Sequence, residues 1–111
     1  MATDSQNSPA GRDRLPREVI EDILASERRR VMLSCLENSG GPVAVTDLAA
    51  AVGAHEGETT PEGVDEKRRR AVREDIYERH LPKLTATGAV EYDSMCGTVR
   101  LVEDGLAREL E

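Results

Sequence analysis

Only one stretch of this chain changes between apolar and polar at every second residue; most of the chain before it repeats at helical spacing. Ala89-Val90-Glu91-Tyr92-Asp93 and Thr98-Val99-Arg100-Leu101-Val102 alternate, and Ser94-Met95-Cys96-Gly97 turns the chain between them. This pattern predicts a β-hairpin over 89–102 with Val90, Tyr92, Val99 and Leu101 on its inner face. A chain that ends in one hairpin after several helices is mainly α with a small β-hairpin, and the order of those helices narrows the architecture further.

Pro16 suits a first helical position, and Val19, Ile20, Ile23 and Leu24 follow at helical spacing. Ser26 opens a second helix carrying Val31, Met32, Cys35 and Leu36 inward, and Asn38-Ser39-Gly40-Gly41-Pro42 stops it. Val43-Ala44-Val45 reads as a short extended piece. Thr46 is a good N-cap for a short helix over 47–52 that buries Leu48, Ala49 and Val52 and ends at Gly53. After a loop, the longest helix runs over about 64–87 with Val72, Ile76, Tyr77, Leu81 and Leu84 on one side. Pro82 sits inside it and predicts a kink or break, because its ring lacks the donor and crowds the Glu78 carbonyl. Residues 103–110 suit a short final helix with Leu106 and Leu110 on one face. Residues 1–14 are polar and aperiodic and read as a disordered arm, leaving a single domain over 15–111. Helices closed by a two-stranded wing make a winged helix-turn-helix, in which the helix before the wing is the candidate for the major groove.

Charge complicates that expectation. The net charge is −7, whereas DNA-binding domains usually carry a basic footprint. The kind of charge matters more than its sum. Of the 15 basic residues only Lys67 and Lys83 are lysine, so 13 are arginine, against 22 acids. Abundant carboxylate with scarce lysine is the composition expected of a protein living in molar salt, where the Debye length is about 3 Å or less. Carboxylates a few residues away then barely repel a nucleic acid. The core must be aliphatic, since the chain has no Phe or Trp and only Tyr77 and Tyr92. So thin a core makes a two-fold dimer through the first or last helix attractive, and paired half-sites need paired readers.

Lys67-Arg68-Arg69-Arg70 with Arg73 places five cations in seven residues at the start of the long helix. Arginine reads guanine through a two-donor fork and also clamps phosphates, so this cluster is the candidate reader of double-stranded DNA. The competing reading is helix-surface pairing with Asp65, Glu66, Glu74 and Asp75. Arg28-Arg29-Arg30 form a second cluster, free either to approach the backbone or to pack against Glu21 and Asp22. Arg100 stands in the wing, where minor-groove entry and a plain solvent-facing role both fit. His80, one turn after Tyr77 and beside the core face, reads as a buried histidine donating to a backbone carbonyl.

Arg28-Arg29-Arg30, Thr46-Asp47-Leu48-Ala49, His80-Leu81-Pro82-Lys83-Leu84 and Gly88-Ala89-Val90-Glu91-Tyr92-Asp93 together resemble a haloarchaeal family of small uncharacterised winged-helix domains. The resemblance covers about residues 15–102. More loosely, His80 to Leu84 followed by Ala86-Thr87-Gly88-Ala89-Val90 is similar to the end of the recognition helix of ArsR-type repressors, which have another residue where Pro82 stands. The resemblance implies the fold and a regulatory role.

Other functions find little support. Cys35, Cys96, His55 and His80 form no CxxC, HxxxH or CxC pattern, so no metal site is expected. No phosphate loop, GxSxG or HExxH occurs, so neither an enzyme nor a cofactor is expected. No apolar run approaches the ~20 residues of a membrane span, and two widely spaced cysteines are no disulfide framework; the expected compartment is a reducing cytoplasm. A DNA-binding transcriptional regulator is the leading expectation, with a winged-helix protein–protein interaction module as the alternative. The signal sensed, including any small-molecule effector, is left open.

Overall fold

The computed structural model describes residues 15–102, a mainly helical body with a three-stranded antiparallel sheet. The arm expected over 1–14 and the final helix expected over 103–110 lie outside the described residues. In chain order the elements are α1 (Arg17–Leu24), α2 (Glu27–Ser39), β1 (Val43–Ala44) and α3 (Val45–Gly57). A 3₁₀ turn (Pro61–Gly63) precedes α4 (Glu66–Asp75), a π turn (Ile76–His80) and α5 (Leu81–Ala86); β2 (Val90–Asp93) and β3 (Thr98–Leu101) follow.

The stop and start signals act locally. Ser26 caps α2, its Oγ accepting from the Arg29 N–H. Gly40 ends the same helix at φ 72°, a left-handed conformation that costs glycine nothing. Asp65 caps α4 by accepting from the Arg68 N–H at 2.8 Å.

Four expectations need correction. The hairpin is not alone: β1 pairs with β3, Val43 opposite Val99 and Ala44 opposite Thr98, giving the order β1-β3-β2. The extended piece after α2 thus gains a ladder, and the hairpin is tied to the helical body. The helix starting near Thr46 does not end at Gly53 but runs on to Gly57, and its N-cap is Ala44, with no side-chain cap. Gly53 serves contact rather than termination. A Cβ there would lie 2.9 Å from Val64 Cγ1 and 3.6 Å from Arg68 Cδ, so the missing side chain is what lets the chain entering α4 close on α3.

The third correction concerns Pro82. The long helix does not break there; it widens just ahead, and the Leu81 N–H bonds the Ile76 carbonyl five residues back. Widening the turn relieves the crowding that a proline ring imposes on the preceding turn. The apolar spacing demands the same solution. Val72, Ile76, Leu81 and Leu84 are all buried, and the five-residue step from Ile76 to Leu81 fits a π turn where an α-helix would rotate Leu81 off the core face.

These residues join Ile23, Met32, Leu33, Leu36, Val45, Leu48, Val52, Val90 and Val99 in one aliphatic core. Each large side chain fully buried there contributes about 1.5–3 kcal/mol. Tyr77 and Tyr92 were expected inside but are 40% and 37% exposed. No described helix is long and apolar enough to cross a membrane.

Candidate nucleic-acid interface

The two arginine clusters meet different fates. Arg28-Arg29-Arg30 begin α2 directly after the C-terminal end of α1, where carbonyls lack intrahelical partners. Arg29 turns back onto them, donating from Nε to the Ile23 carbonyl at 2.8 Å and from Nη2 to that of Asp22 at 2.9 Å. Arg30 donates to the Leu24 carbonyl at 2.6 Å. Arg29 is only 9% exposed, so its guanidinium does not reach solvent as a DNA contact requires.

Arg28 spans three helices. Its Nε and Nη2 fork onto the Glu56 carboxylate at 2.5 and 3.0 Å, and Nη1 meets Asp75 Oδ2 at 2.8 Å. This cluster is therefore internal bracing. Its acidic partners are Glu56 of α3 and Asp75 of α4, not the neighbouring Glu21 and Asp22 side chains weighed from the sequence.

His80 completes the brace. It is buried, with Nδ1 3.2 Å from Arg29 Nη1 and Nε2 2.8 Å from Asp75 Oδ2. A guanidinium only donates, so Nδ1 accepts and the proton of neutral His80 sits on Nε2, donating to Asp75. Burial pushes the His80 pKa down, against the upward pull of the Asp75 carboxylate. Asp75 is itself held below the usual carboxylate range: burial works against this, but the Arg28 hydrogen bond and His80 outweigh it. The partner of His80 is thus a carboxylate, not the backbone carbonyl expected.

Along α4 the five cations divide by angle. At about 100° per residue, Val72 and Ile76 point to the core, and Arg68 and Arg69 flank that direction. Both find acceptors, although Arg68 stays exposed. Arg69 donates to the Val64 carbonyl at 2.9 Å and lies 3.5 Å from Glu66, while Arg68 lies 3.7 Å from Glu56. Lys67, Arg70 and Arg73 fall three residues apart within an arc of about 120° on the outer side. None of these three makes an ion pair with another described residue. Lys67, Arg70 and Arg73, three of the five residues expected, thus stand on the outer side of the helix without an ion-pair partner among the described residues, interleaved there with the exposed Glu66 and Glu74.

The hairpin stands beside that helix. Tyr77, in the π turn, and Tyr92, on β2, meet edge to face, with ring centroids 6.0 Å apart and an interplanar angle of 78°. Their hydroxyls are 3.5 Å apart. The Tyr77 hydroxyl, more than slight burial, holds the Tyr92 phenol above its ordinary pKa, so it stays protonated. Arg100 on β3 is exposed and pairs with Glu91 across the strands. Sequence reasoning placed both tyrosines in the core and so missed this surface; the inward run already held enough aliphatic residues without them.

Other sulfur and imidazole groups do not converge. Cys35 is half-buried in α2, and burial raises its thiol pKa. Cys96 is exposed at the hairpin turn, and His55 Nε2 faces Glu27 at 2.7 Å. Among the described residues no three His, Cys, Asp or Glu side chains cluster as metal ligands do. Two surface clefts among the described residues have volumes of about 350 Å³, lined by Glu27, Arg30, Val31, Ser34 and His55, and about 330 Å³, lined by Leu36, Glu37, Gly40, Gly41, Arg100 and Leu101.

A family model described as a domain of unknown function, DUF7344, matches residues 21–100. No curated protein and no solved structure matches the chain.

Proposed function

The chain belongs to the DUF7344 family, and from that premise we propose that it is a winged helix-turn-helix transcriptional regulator that binds double-stranded DNA. The observation that carries this reading is the outward placement of Lys67, Arg70 and Arg73, three cations without an ion-pair partner among the described residues of a chain of net charge −7. Acids outnumber bases 22 to 15, so partners for these three were there to be recruited. The helix carrying them precedes the hairpin, as the reading helix of a winged domain does. Lys67, Arg70 and Arg73 contact phosphates and one or two base edges, and β2–β3 is the wing. Arg68 and Arg69 position the helix instead of reading DNA.

In the same reading the protein is cytoplasmic, haloarchaeal, distantly ArsR-like and dimeric on DNA. Its carboxylates keep it compact only when salt screens them, so its Tm should climb between about 0.1 and 2 M KCl as the Debye length falls toward ~3 Å. A flat Tm over that range removes the salt-adapted part of the proposal. The test of DNA binding is selection from a random-sequence duplex library in KCl of increasing concentration. Enrichment of a shared sequence by the wild type, and its loss in Arg70→Glu/Arg73→Glu, is the expected result; no enrichment at any salt overturns the reading.

One observation favours a protein-interaction module instead. Met95 at the hairpin turn is 92% exposed, an apolar tip suited to docking. Failure of the library selection, together with loss of a captured protein on Met95→Ser, would establish that alternative.

A further inference from the structure

The only two aromatic residues of the chain meet each other at the surface. A chain with so little bulk for its core gains by burying a tyrosine, yet both stand about two-fifths exposed. Ring contact alone would be served as well by phenylalanine. The hydroxyls are therefore the feature to explain. Among the described residues each has only the other as a hydrogen-bonding neighbour, at 3.5 Å. That separation is long for a bond between them but suits two O–H donors aimed at one shared oxygen, each within about 2.8 Å of it. Their placement is specific. Tyr77 lies one turn beyond Arg73, and at about 100° per residue its direction falls between those of Arg70 and Arg73. Tyr92 brings the second donor from the hairpin. The nearby Asp93 carboxylate accepts from the Met95 and Cys96 N–H groups at 2.9 and 3.3 Å, so part of its charge is already committed to the turn.

We infer that the Tyr77 and Tyr92 hydroxyls form a neutral two-donor clamp for one backbone phosphate of duplex DNA, at the seam between the cationic helix and the hairpin. The inference rests on the DNA-binding reading and deepens it. Two phenols recognise a phosphate oxygen without adding charge, so the contact survives in molar salt where ion pairing is screened. It also fixes the wing relative to the helix on the duplex, since one donor comes from each.

The test uses the full chain and a labelled random-sequence duplex, measured over a series of KCl concentrations. Tyr77→Phe/Tyr92→Phe keeps the rings and removes both donors. It should bind about tenfold more weakly, as expected for lost hydrogen bonds to a charged group. Its Tm and its slope of log affinity against log salt should match the wild type. Arg73→Gln, by contrast, should lower that slope by about 0.9, the share of one phosphate contact. Unchanged affinity in the double Phe variant, with Arg73→Gln still weakened, overturns the clamp and leaves the DNA reading standing. So does affinity kept by Phe but lost, at unchanged Tm, by Tyr77→Ala/Tyr92→Ala: the rings, stacking on bases, would then be the contact. A wild type that binds no duplex overturns both.

Discussion

Arg28-Arg29-Arg30 and Lys67 to Arg73 are written in nearly the same letters, yet one folds into the body and most of the other stays out. The difference lies in what each run finds within reach. The first begins three residues after Ala25, the C-cap of α1, so the carbonyls of Asp22, Ile23 and Leu24 at that helix end receive Arg29 and Arg30, and Glu56 and Asp75 receive Arg28. The second runs along a helix whose outer side is exposed, and among the described residues only Arg68 and Arg69, flanking the core, find acceptors. Arginine density by itself therefore says nothing about nucleic acid; the acceptors around it decide.

The comparison breaks most visibly at Arg29. Replacing it with Ala leaves the buried Ile23 carbonyl and His80 Nδ1 without the Arg29 donor, takes one of two donors from the Asp22 carbonyl and removes a packed stem, costing about 3 kcal/mol. In a domain of this size that lowers Tm by more than about 10 °C. Arg70→Ala should move Tm by no more than about 2 °C. Equal losses in calorimetry would erase the distinction between bracing and reading arginines.

On the other side of the comparison, Arg70→Glu/Arg73→Glu should weaken duplex binding by at least about 30-fold, since each lost contact costs on the order of 1–3 kcal/mol and reversal adds repulsion. Its Tm should stay within a few degrees of the wild type. Arg69→Glu is a poorer probe, because Arg69 also holds the Val64 carbonyl.

A third measurement sharpens the account of the brace. His80 is neutral in the fold, with its pKa lowered first by burial. The unfolded chain therefore takes up a proton near pH 6.5 while the folded chain does not. Stability from this group is complete above about pH 6.5 and is lost as pH falls toward the lower folded value. Protonation would also set an N–H at Nδ1 against Arg29. His80→Gln, whose amide both accepts and donates, should flatten this part of the Tm–pH curve; an unchanged slope would show that another group titrates there.

Arg100→Gln should do least. Its partner Glu91 is even more exposed than it is, and such pairs are worth under about 1 kcal/mol. A Tm shift above about 5 °C in thermal melts would contradict that placement.

Much of this was legible in the sequence. The caps at Ser26 and Gly40, the hairpin, and the inward positions of Val72, Ile76, Leu81 and Leu84 follow from local rules that act within a turn or two. What escaped depends on distant partners. Gly53 reads as a stop unless Val64 is known to press on it, and Val43-Ala44 reads as a connector unless β3 is known to lie alongside. His80 finds Arg29 across 51 positions, a distance no spacing pattern spans. At the candidate site, the cluster was visible, but sorting Arg68 and Arg69 from Lys67, Arg70 and Arg73 required the core direction. The five-residue step from Ile76 to Leu81 with Pro82 behind it was a readable sign of the π turn.

That π turn has a bearing on how the domain can change over evolution. It amounts to one residue inserted into a helix, and each inserted residue turns everything ahead of it by about 100° relative to everything behind. Leu81 and Leu84 anchor the rear of the helix in the core, so the insertion sets the clock angle at which the front half presents its side chains. A relative without the extra residue could not keep Val72 and Ile76 in the core together with Leu81 and Leu84, so aiming Lys67, Arg70 and Arg73 at a different quadrant would require a shifted apolar stripe on the front half. A one-residue deletion within 76–80 thus changes what such a domain faces only when the apolar positions ahead of it move as well.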